Sequence, residues 1–318
     1  MPITLVPFAR EHLEPAVELF SQSYLVEQAD NPCLPDRVLD DPSVIQDALQ
    51  TKLDNPSIAV VEQGRLLLLA FMVTGAQFNW KGHRAAIVPE YGHAAIATGK
   101  QALYQKMYQS LAQEWVSQGC HLHLLGHFAH DALLQEMLYQ MGFGALVAER
   151  LRDCSAVATG QDPSIKIDQE VSKLLNLHIE HIHYYPHSPT FLSRSIDHQA
   201  ALADLEAHAL SGDVFFVAYE QGEPCAYLIA GESILGGEGF LLQKTKTAQI
   251  KSAFTRPGAR GQGIGKALLQ CAIHWSQQKG YERIFVEHET ANIAGSHFWS
   301  KYFVPYLYYS MRYVDSTL

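Results

Sequence analysis

Three glycines within five residues give the strongest chemical signal in the sequence. Gly261, Gly263 and Gly265 are followed at once by an apolar helical pattern. Arg260 and Lys266 flank them and add positive charge. The first turn of a helix carries unpaired N–H groups and the positive end of the helix dipole. Glycine lets such a backbone approach a phosphate without a Cβ in the way. The pattern therefore predicts a phosphate-binding loop.

A strand and a helix must position this loop. Residues 248–255 alternate in polarity and include β-branched and aromatic residues, which predicts a strand. Pro257 ends this strand because proline cannot donate a hydrogen bond to a neighbouring strand. The helix is expected to begin near Gly263, to carry its apolar residues on one face and to stop at Gly280. The loop is thus the turn between a strand and a helix N-terminus.

Two known phosphate loops do not fit these residues. A Walker A loop needs a hydroxyl residue after its lysine, but Ala267 follows Lys266. A dinucleotide fingerprint needs a third glycine, and Lys266 stands in that place. The pattern [Q/R]xxGx[G/A] does fit, at Arg260, Gly263 and Gly265. A glycine turn that serves only helix–sheet packing is the alternative.

The fitting pattern is that of the pyrophosphate loop of the GCN5-related N-acetyltransferases, and the sequence resembles this superfamily over about residues 165–318. TRPGARGQGIGKALL matches the family's VxPxxRGxGIGxxLL. The matching residues are Pro257, Arg260, Gly261, Gly263, Ile264, Gly265, Leu268 and Leu269. Asn292, before the last helical segment, matches the family's asparagine.

The resemblance implies an acetyl-CoA site in a gap between two splayed parallel strands. Backbone N–H groups of residues 261–266 would hold the pyrophosphate. Main chain at Phe254 and Thr255 would pair with the pantetheine amides, and Asn292 would contact the arm from the other side. The implied cofactor-binding residues are Phe254, Thr255, Arg260, Gly261, Gln262, Gly263, Ile264, Gly265, Lys266 and Asn292.

Acetyl transfer to an amine needs a base for the amine's proton, an N–H donor for the oxyanion and an acid for the departing thiolate. The family's acid tyrosine corresponds to Trp299 here, and indole cannot give up a proton near neutral pH. Tyr302, one helical turn later, is the predicted substitute, although thiolate can also leave without an acid. Glu287 and His288, in the strand RIFVEHE, are the candidate bases.

The stretch HIEHIHYYPHSP raises the question of a metal site. Its histidines are His178, His181, His183 and His187. No cysteine and no HExxH pattern accompanies them, so no metal is predicted. Tyr184 and Tyr185 are expected to shape an acceptor pocket, with ordinary packing as the alternative.

The first half repeats the element order of the second. The expected fold is α/β, with two tandem domains, each a mixed, mostly antiparallel sheet flanked by helices and holding a splayed pair of parallel strands. Their predicted limits are 1–158 and 165–318, around a linker broken by Gly160 and Pro163. In IVPEYGHAA, Pro89 matches the family's loop but its arginine and second glycine are missing. The first domain is therefore expected to lack the cofactor site.

Charge and cysteine usage indicate which partners and which cellular compartment to expect. A net charge of −10 argues against nucleic-acid binding. No apolar run approaches the length of about 20 residues that a membrane span needs, and no signal-peptide pattern opens the chain. The 5 cysteines are scattered, which suits a reducing compartment. We expect a cytoplasmic protein without nucleic-acid or membrane partners, and leave a homodimer open.

Together these features predict an acetyl-CoA-dependent N-acetyltransferase that acts on the amine of a small molecule, without a metal. The alternative is a non-catalytic acyl-CoA-binding sensor, which Trp299 in place of the acid tyrosine favours. An enzyme that uses a longer acyl chain is a third possibility.

Overall fold

The computed structural model describes residues 3–63, 67–157, 164–193, 197–233 and 239–317. Gly160 and Pro163 of the predicted linker lie outside the described residues. The chain forms two compact units. Unit 1 is Met1–Ala148 together with Pro305–Leu318, and unit 2 is Glu149–Val304.

Both halves of the chain contain strands and helices. In chain order the strands are β1 (Ile3–Val6), β2 (Ser57–Glu62), β3 (Leu68–Val73), β4 (Ala76–Trp80), β5 (His83–Val88), β6 (His93–Ala95), β7 (Leu122–Phe128), β8 (Gly144–Asp153), β9 (Ile165–Ile167), β10 (Val214–Glu220), β11 (Glu223–Glu232), β12 (Thr247–Thr255), β13 (Arg283–Glu289) and β14 (Val304–Tyr313). The α-helices are α1 (Leu13–Asp30), α2 (Arg37–Asp40), α3 (Ser43–Gln50), α4 (Lys100–Ser117), α5 (Ala132–Gln140), α6 (Val171–Tyr184), α7 (His198–Leu210), α8 (Ile264–Gln278) and α9 (Ile293–Tyr302). The predicted class, mixed and mostly antiparallel sheets flanked by helices, is confirmed.

Unit 1 contains a sheet of order β1-β2-β3-β6 and a group of strands of order β4-β5-β7-β14. Strands β2 and β3 pair antiparallel. Strands β5 and β7 are parallel, and β14 pairs antiparallel with β7 from Leu307↔Phe128 to Tyr313↔Leu122. Helix α4 buries Met107 and Leu111 in the core of this unit.

Unit 2 is built on strands in the order β8-β13-β12-β11-β10-β9. Side chains of β11 alternate between its two faces, as a strand period of two requires. Leu228 packs in the core that α8 covers, whereas Tyr227 and Ile229 pack in the core that α6 and α7 cover. The site described below lies at one end of this sheet.

The limits of the two compact units differ from the predicted domain limits of 1–158 and 165–318, which stay a prediction. Along the chain, unit 2 begins at Glu149, inside strand β8, and unit 1 includes the last strand from Pro305 onward. The hydrogen bonds of β14 to β7 join residues far apart in the chain. A composition shift between halves marks a linker, but it carries no information on which strand pairs with which. The C-terminal tyrosine-rich strand is therefore not part of unit 2.

Candidate active site

Strands β12 and β13 separate at one end of unit 2. Their parallel ladder begins at Thr247↔Arg283 and ends at Ile250↔Val286. Both strands continue for several residues beyond this last pair, but among the described residues they no longer pair with each other. On the other edge of β12, Ser252 pairs with Ile229 but Ile250 pairs with Ala230. Lys251 is thus the extra residue of a β-bulge, which bends the strand where the gap opens.

A buried ion pair holds this bulge. Lys251 Nζ donates to Asp213 Oδ1 at 2.7 Å, and the two side chains are 7% and 1% exposed. His208 Nδ1 lies 2.8 Å from the second carboxylate oxygen. A Cβ on Gly231 would stand 1.8 Å from Asp213 Oδ1, so only glycine fits beside this carboxylate. No local sequence pattern marks Lys251, Asp213, His208 or Gly231 as part of the site.

The glycine loop ends at the N-terminus of α8. Gly261 and Gly263 have φ angles of +81° and +86°, in the left-handed region that favours glycine. Among the described residues, no heavy atom beyond the immediate chain neighbours lies within 4 Å of where a Cβ on either would stand. The first N–H groups of α8, at Ile264, Gly265 and Lys266, have no intrahelical acceptor. The loop is an open cradle with the charge preference of a helix N-terminus.

The cradle and the splayed strands line one cleft of about 690 Å³. Except for Gln262, every residue predicted for the site lines it. These are Phe254, Thr255, Arg260, Gly261, Gly263, Ile264, Gly265, Lys266, Asn292, Glu287, His288, Tyr302, Tyr184 and Tyr185. Gln262 is exposed, and its Nε2 donates to the Gly258 carbonyl at 3.4 Å.

Comparison with known proteins identifies the segment that carries this cleft. Residues 178–303 match the model of the Acetyltransferase (GNAT) family. Unit 2 holds a domain of this family. A search of curated protein sequences finds no match.

Solved structures share the fold over nearly the whole chain. A GCN5-related N-acetyltransferase from Sphaerobacter thermophilus is 12% identical, with a TM-score of 0.59 and coverage of 99% of this chain and 98% of that one. A GNAT-family acetyltransferase from Colwellia psychrerythraea is 11% identical, with a TM-score of 0.53 and coverage of 99% and 100%. A GCN5-related glucosamine N-acetyltransferase region of a fungal multi-domain β-N-acetylglucosaminidase is 12% identical, with a TM-score of 0.52 and coverage of 98% and 38%. The two tandem GNAT folds predicted from the sequence agree with this coverage.

Main chain at Phe254 and Thr255 was expected to face the gap between β12 and β13, and one of these two residues faces the other way. Arg256 N donates to the Cys225 carbonyl of β11. Polar groups of successive strand residues point to opposite edges, so Phe254 also faces β11. Ala253 and Thr255 face the gap instead, and Thr255 O accepts Arg260 Nε at 2.9 Å. Phe254 lines the cleft with its ring.

The predicted acceptor residues lie on α6 and just after it. Tyr184 donates to Asn292 Oδ1 at 3.3 Å, while Asn292 also caps α9 by accepting from Gly295 N. The Arg260 guanidinium lies 5.1 Å from the Tyr184 ring centre. Tyr185 is buried beside His181, with ring centres 5.3 Å apart.

The four histidines of the α6 region do not converge. His178 and His181 are buried and reach the Tyr227 hydroxyl, whereas His183 and His187 are exposed. Over the described ranges, no group of three or more His, Cys, Asp or Glu side chains has the geometry to hold a metal ion.

The candidate bases of the GNAT domain differ in their surroundings. His288 Nε2 accepts from Arg150 Nε at 2.9 Å, and Nδ1 lies 3.1 Å from the Glu289 carbonyl. Burial, followed by the Arg150 charge, lowers the pKa of His288 to about 4. A histidine that is neutral and hydrogen-bonded at both nitrogens is poorly suited to take the amine's proton. Glu287 lines the cleft and stays a candidate.

Trp299 and Tyr302 of α9 both line the cleft, but they differ in burial. The Trp299 side chain is buried, with ring centres 4.8 Å from Phe298 and 5.5 Å from Phe303. It fills the core between helix and sheet. Tyr302 is half-buried against Phe298 at 5.2 Å and lines the cleft. Tyr302 thus stays the candidate acid that the sequence predicts.

Proposed function

We propose that this protein is an acetyl-CoA-dependent N-acetyltransferase that acetylates the amine of a small molecule. The observation that carries the proposal is the open glycine cradle beside the splayed ends of β12 and β13. The positions where Cβ atoms of Gly261 and Gly263 would stand face open space, so a phosphate group has room to approach the N–H groups at the start of α8.

The residues present fit acetyl-CoA as co-substrate. N–H groups of residues 261–266 would hold the pyrophosphate, and Arg260 and Lys266 would add positive charge. Main chain at Ala253 and Thr255, which faces the gap, would pair with the pantetheine arm. Asn292 lies on the opposite wall. The bound thioester supplies an already activated acyl group.

The proposed reaction is direct attack of a neutral amine on the thioester carbonyl. An N–H group of the gap-facing edge of β12 would donate to the oxyanion. Tyr302 would protonate the departing thiolate. Glu287, on the splayed end of β13, is a candidate to take the amine's proton. The acceptor would lie under α6, where Tyr184 and Tyr185 form part of the wall.

Unit 1 is proposed as a scaffold without a cofactor site. Its parallel ladder of β5 and β7 ends at Val88↔Leu125, but protein atoms fill the space beyond. His93 Nε2 lies 2.6 Å from the Gly126 carbonyl. Tyr309 donates to Glu90 at 2.7 Å, and its ring stands 2.8 Å from where a Cβ on Gly126 would be.

Among the described residues, no helix is long and apolar enough to cross a bilayer. The cysteines that the structure describes are Cys33, Cys120, Cys154, Cys225 and Cys271, and none of them forms a disulfide. We propose a cytoplasmic location on this cysteine usage.

The second candidate function is an acyl-CoA sensor that transfers nothing. It is favoured by Trp299, whose buried ring replaces the family's acid tyrosine. Release of free thiol from acetyl-CoA separates the two. Tyramine, spermidine and glucosamine serve as amine probes, the last because one structural neighbour is a glucosamine N-acetyltransferase region. Amine-dependent thiol release supports the transferase, and binding without release for all three supports the sensor.

A further inference from the structure

The Arg260 side chain binds a carbonyl group that the proposed co-substrate would also use. Arg260 Nε donates to Thr255 O at 2.9 Å. Thr255 turns its main-chain groups toward the gap between β12 and β13, because Arg256 N donates to the Cys225 carbonyl on the other edge of β12. The pantetheine arm is proposed to pair with this gap-facing edge. The guanidinium and the arm therefore meet at the same acceptor.

Two aromatic rings hold the Arg260 guanidinium at this place. Its Cζ atom lies 5.1 Å from the ring centre of Tyr184 and 5.8 Å from that of Phe254. Both distances are in the range at which a cation is attracted to the face of an aromatic ring. Thr255 O and the two rings thus keep the guanidinium at the splayed end of β12.

Tyr184 extends this contact to the opposite wall of the cleft. The Tyr184 hydroxyl donates to Asn292 Oδ1 at 3.3 Å. Asn292 is the residue proposed to contact the pantetheine arm from its other side. A row of contacts therefore runs from Thr255 through Arg260 and Tyr184 to Asn292. This row crosses the path proposed for the arm.

Arg260 also has the position of a phosphate ligand. It is exposed and directly precedes the glycine cradle of residues 261–266. Pairs of arginine and phosphate are often bidentate, with two parallel hydrogen bonds between opposite charges. The hydrogen bond to Thr255 O joins one N–H group to a neutral acceptor. A pyrophosphate in the cradle therefore offers Arg260 a stronger partner than Thr255 O.

We propose that Arg260 determines the specificity for the acyl donor, because it opposes the binding of neutral acyl-pantetheine thioesters and is attracted away from β12 by a donor with a pyrophosphate. This rests on the function proposed above, in which acetyl-CoA is the donor. A carbonyl oxygen can accept a second hydrogen bond, so the guanidinium opposes the arm mainly by the space it fills. Specificity then arises from a cost to the wrong donor as well as from a gain for the right one.

An arginine that only supports the turn after β12 would affect both donors in the same direction. Its loss would loosen the edge of β12 and weaken the binding of every donor that pairs with this edge. A specificity residue has effects of opposite sign. Its loss weakens the binding of a donor with a pyrophosphate and strengthens the binding of a donor without one.

Calorimetric titration of acetyl-CoA and S-acetylpantetheine into the full chain separates the two roles. S-acetylpantetheine has the thioester and the amides of the arm but no phosphate. Arg260→Ala should bind acetyl-CoA about 10-fold more weakly, because the pyrophosphate loses a charged hydrogen-bond donor. It should bind S-acetylpantetheine about 10-fold more tightly, because the arm no longer displaces a charged hydrogen bond and a cation–π contact. Binding of S-acetylpantetheine that is measurable in the variant but not in wild type also meets this expectation.

Two substitutions serve as matched controls. Arg256→Ala removes a nearby arginine that forms an ion pair with Glu180 and is not among the described residues that line the cleft. It should keep both affinities within about twofold of wild type. Lys266→Ala removes the cation at the other end of the cradle. It should weaken the binding of acetyl-CoA and keep that of neutral S-acetylpantetheine within about twofold of wild type.

Weaker binding of both donors by Arg260→Ala would overturn the proposal and assign Arg260 a supporting role. An unchanged affinity for S-acetylpantetheine, or no binding of it by either protein, would also overturn the proposal. In these cases acetyl-CoA binding and amine-dependent thiol release by wild type would leave the proposed function standing. Opposite effects on the two donors without amine turnover would support donor selection and overturn the transferase. No binding of acetyl-CoA by folded wild type would overturn both.

Discussion

Replacing Lys251 with methionine should destabilise unit 2 far more than the same replacement at Lys246. Both lysines contact a carboxylate at nearly the same distance, 2.7 Å to Asp213 and 2.8 Å to Glu282. They differ in burial. The first pair is 7% and 1% exposed, whereas the second is 69% and 51% exposed. Methionine keeps most of the apolar stem of lysine and removes the charge.

The expected magnitudes follow from that difference. Breaking a buried ion pair leaves an uncompensated charge and costs about 3–5 kcal/mol. His208 still contacts Asp213 after the change, so we expect Lys251→Met to lie near the lower value, about 3 kcal/mol. An exposed pair is worth about 0–1 kcal/mol, so Lys246→Met should stay within about 1 kcal/mol of wild type.

Urea denaturation of wild type and both variants measures the two differences. Because Lys251 is the extra residue of the bulge, Lys251→Met should also raise amide hydrogen exchange in residues 247–255 and weaken acetyl-CoA binding. Equal, small effects of the two substitutions would refute the reasoning that burial of this pair holds the bulge. A large loss of stability with unchanged acetyl-CoA affinity would refute the link between bulge and site.

Three further predictions concern the same unit. Burial and Arg150 hold the pKa of His288 at about 4, below the 6.5 of the unfolded chain, so its contribution to stability is full above pH 6.5 and falls toward pH 4. His288→Gln should reduce the slope of stability against pH in that window by about 1.4 kcal/mol per unit, measured by urea denaturation at several pH values; an unchanged slope would contradict this. Tyr302→Phe should lower kcat by about 100-fold with little change in KM in the thiol-release assay, and wild-type kcat would exclude Tyr302 as the acid. Trp299→Ala should cost about 3–5 kcal/mol in the free energy of unfolding, because it empties a buried aromatic site, whereas Tyr139→Ala at an exposed position should cost about 0.5 kcal/mol or less.

The glycine loop could be predicted from the sequence because neighbouring residues set its conformation. The positive φ angles of Gly261 and Gly263 and the start of α8 at Ile264 all arise within a few residues. The predicted strand before the loop and the helix after it also depend on nearby residues. The alternation of side chains in β12 could also be seen in the sequence. The edge of the strand that each main-chain N–H and C=O group faces could not. That depends on the register with β11, and it changes the main-chain group proposed to pair with the pantetheine arm from Phe254 to Ala253.

Long-range pairing could not be read from the sequence. Strand β14 pairs with β7, although an intervening domain separates them in the chain. Lys251 meets Asp213 across 38 residues, and His181 meets Tyr227 across 46 residues. Each contact arises only when the sheet and helices of a unit pack together. A lysine in a strand or a histidine in a helix shows no local sign of such a partner.

Calorimetric titration of acetyl-CoA into wild type, Gly263→Asp and Gly280→Asp tests the central claim most directly. Both glycines have positive φ angles, +86° and +79°, and they lie at opposite ends of α8. Among the described residues, a Cβ at either position would face open space, so the two substitutions carry the same backbone strain without a clash. Aspartate at Gly263 puts a negative charge where the pyrophosphate should lie, and the account predicts a loss of affinity of about 100-fold there. Gly280→Asp should bind within about twofold of wild type. Equal affinity of both variants, or no binding by the folded wild type, would contradict the claim that RGQGIG holds the pyrophosphate.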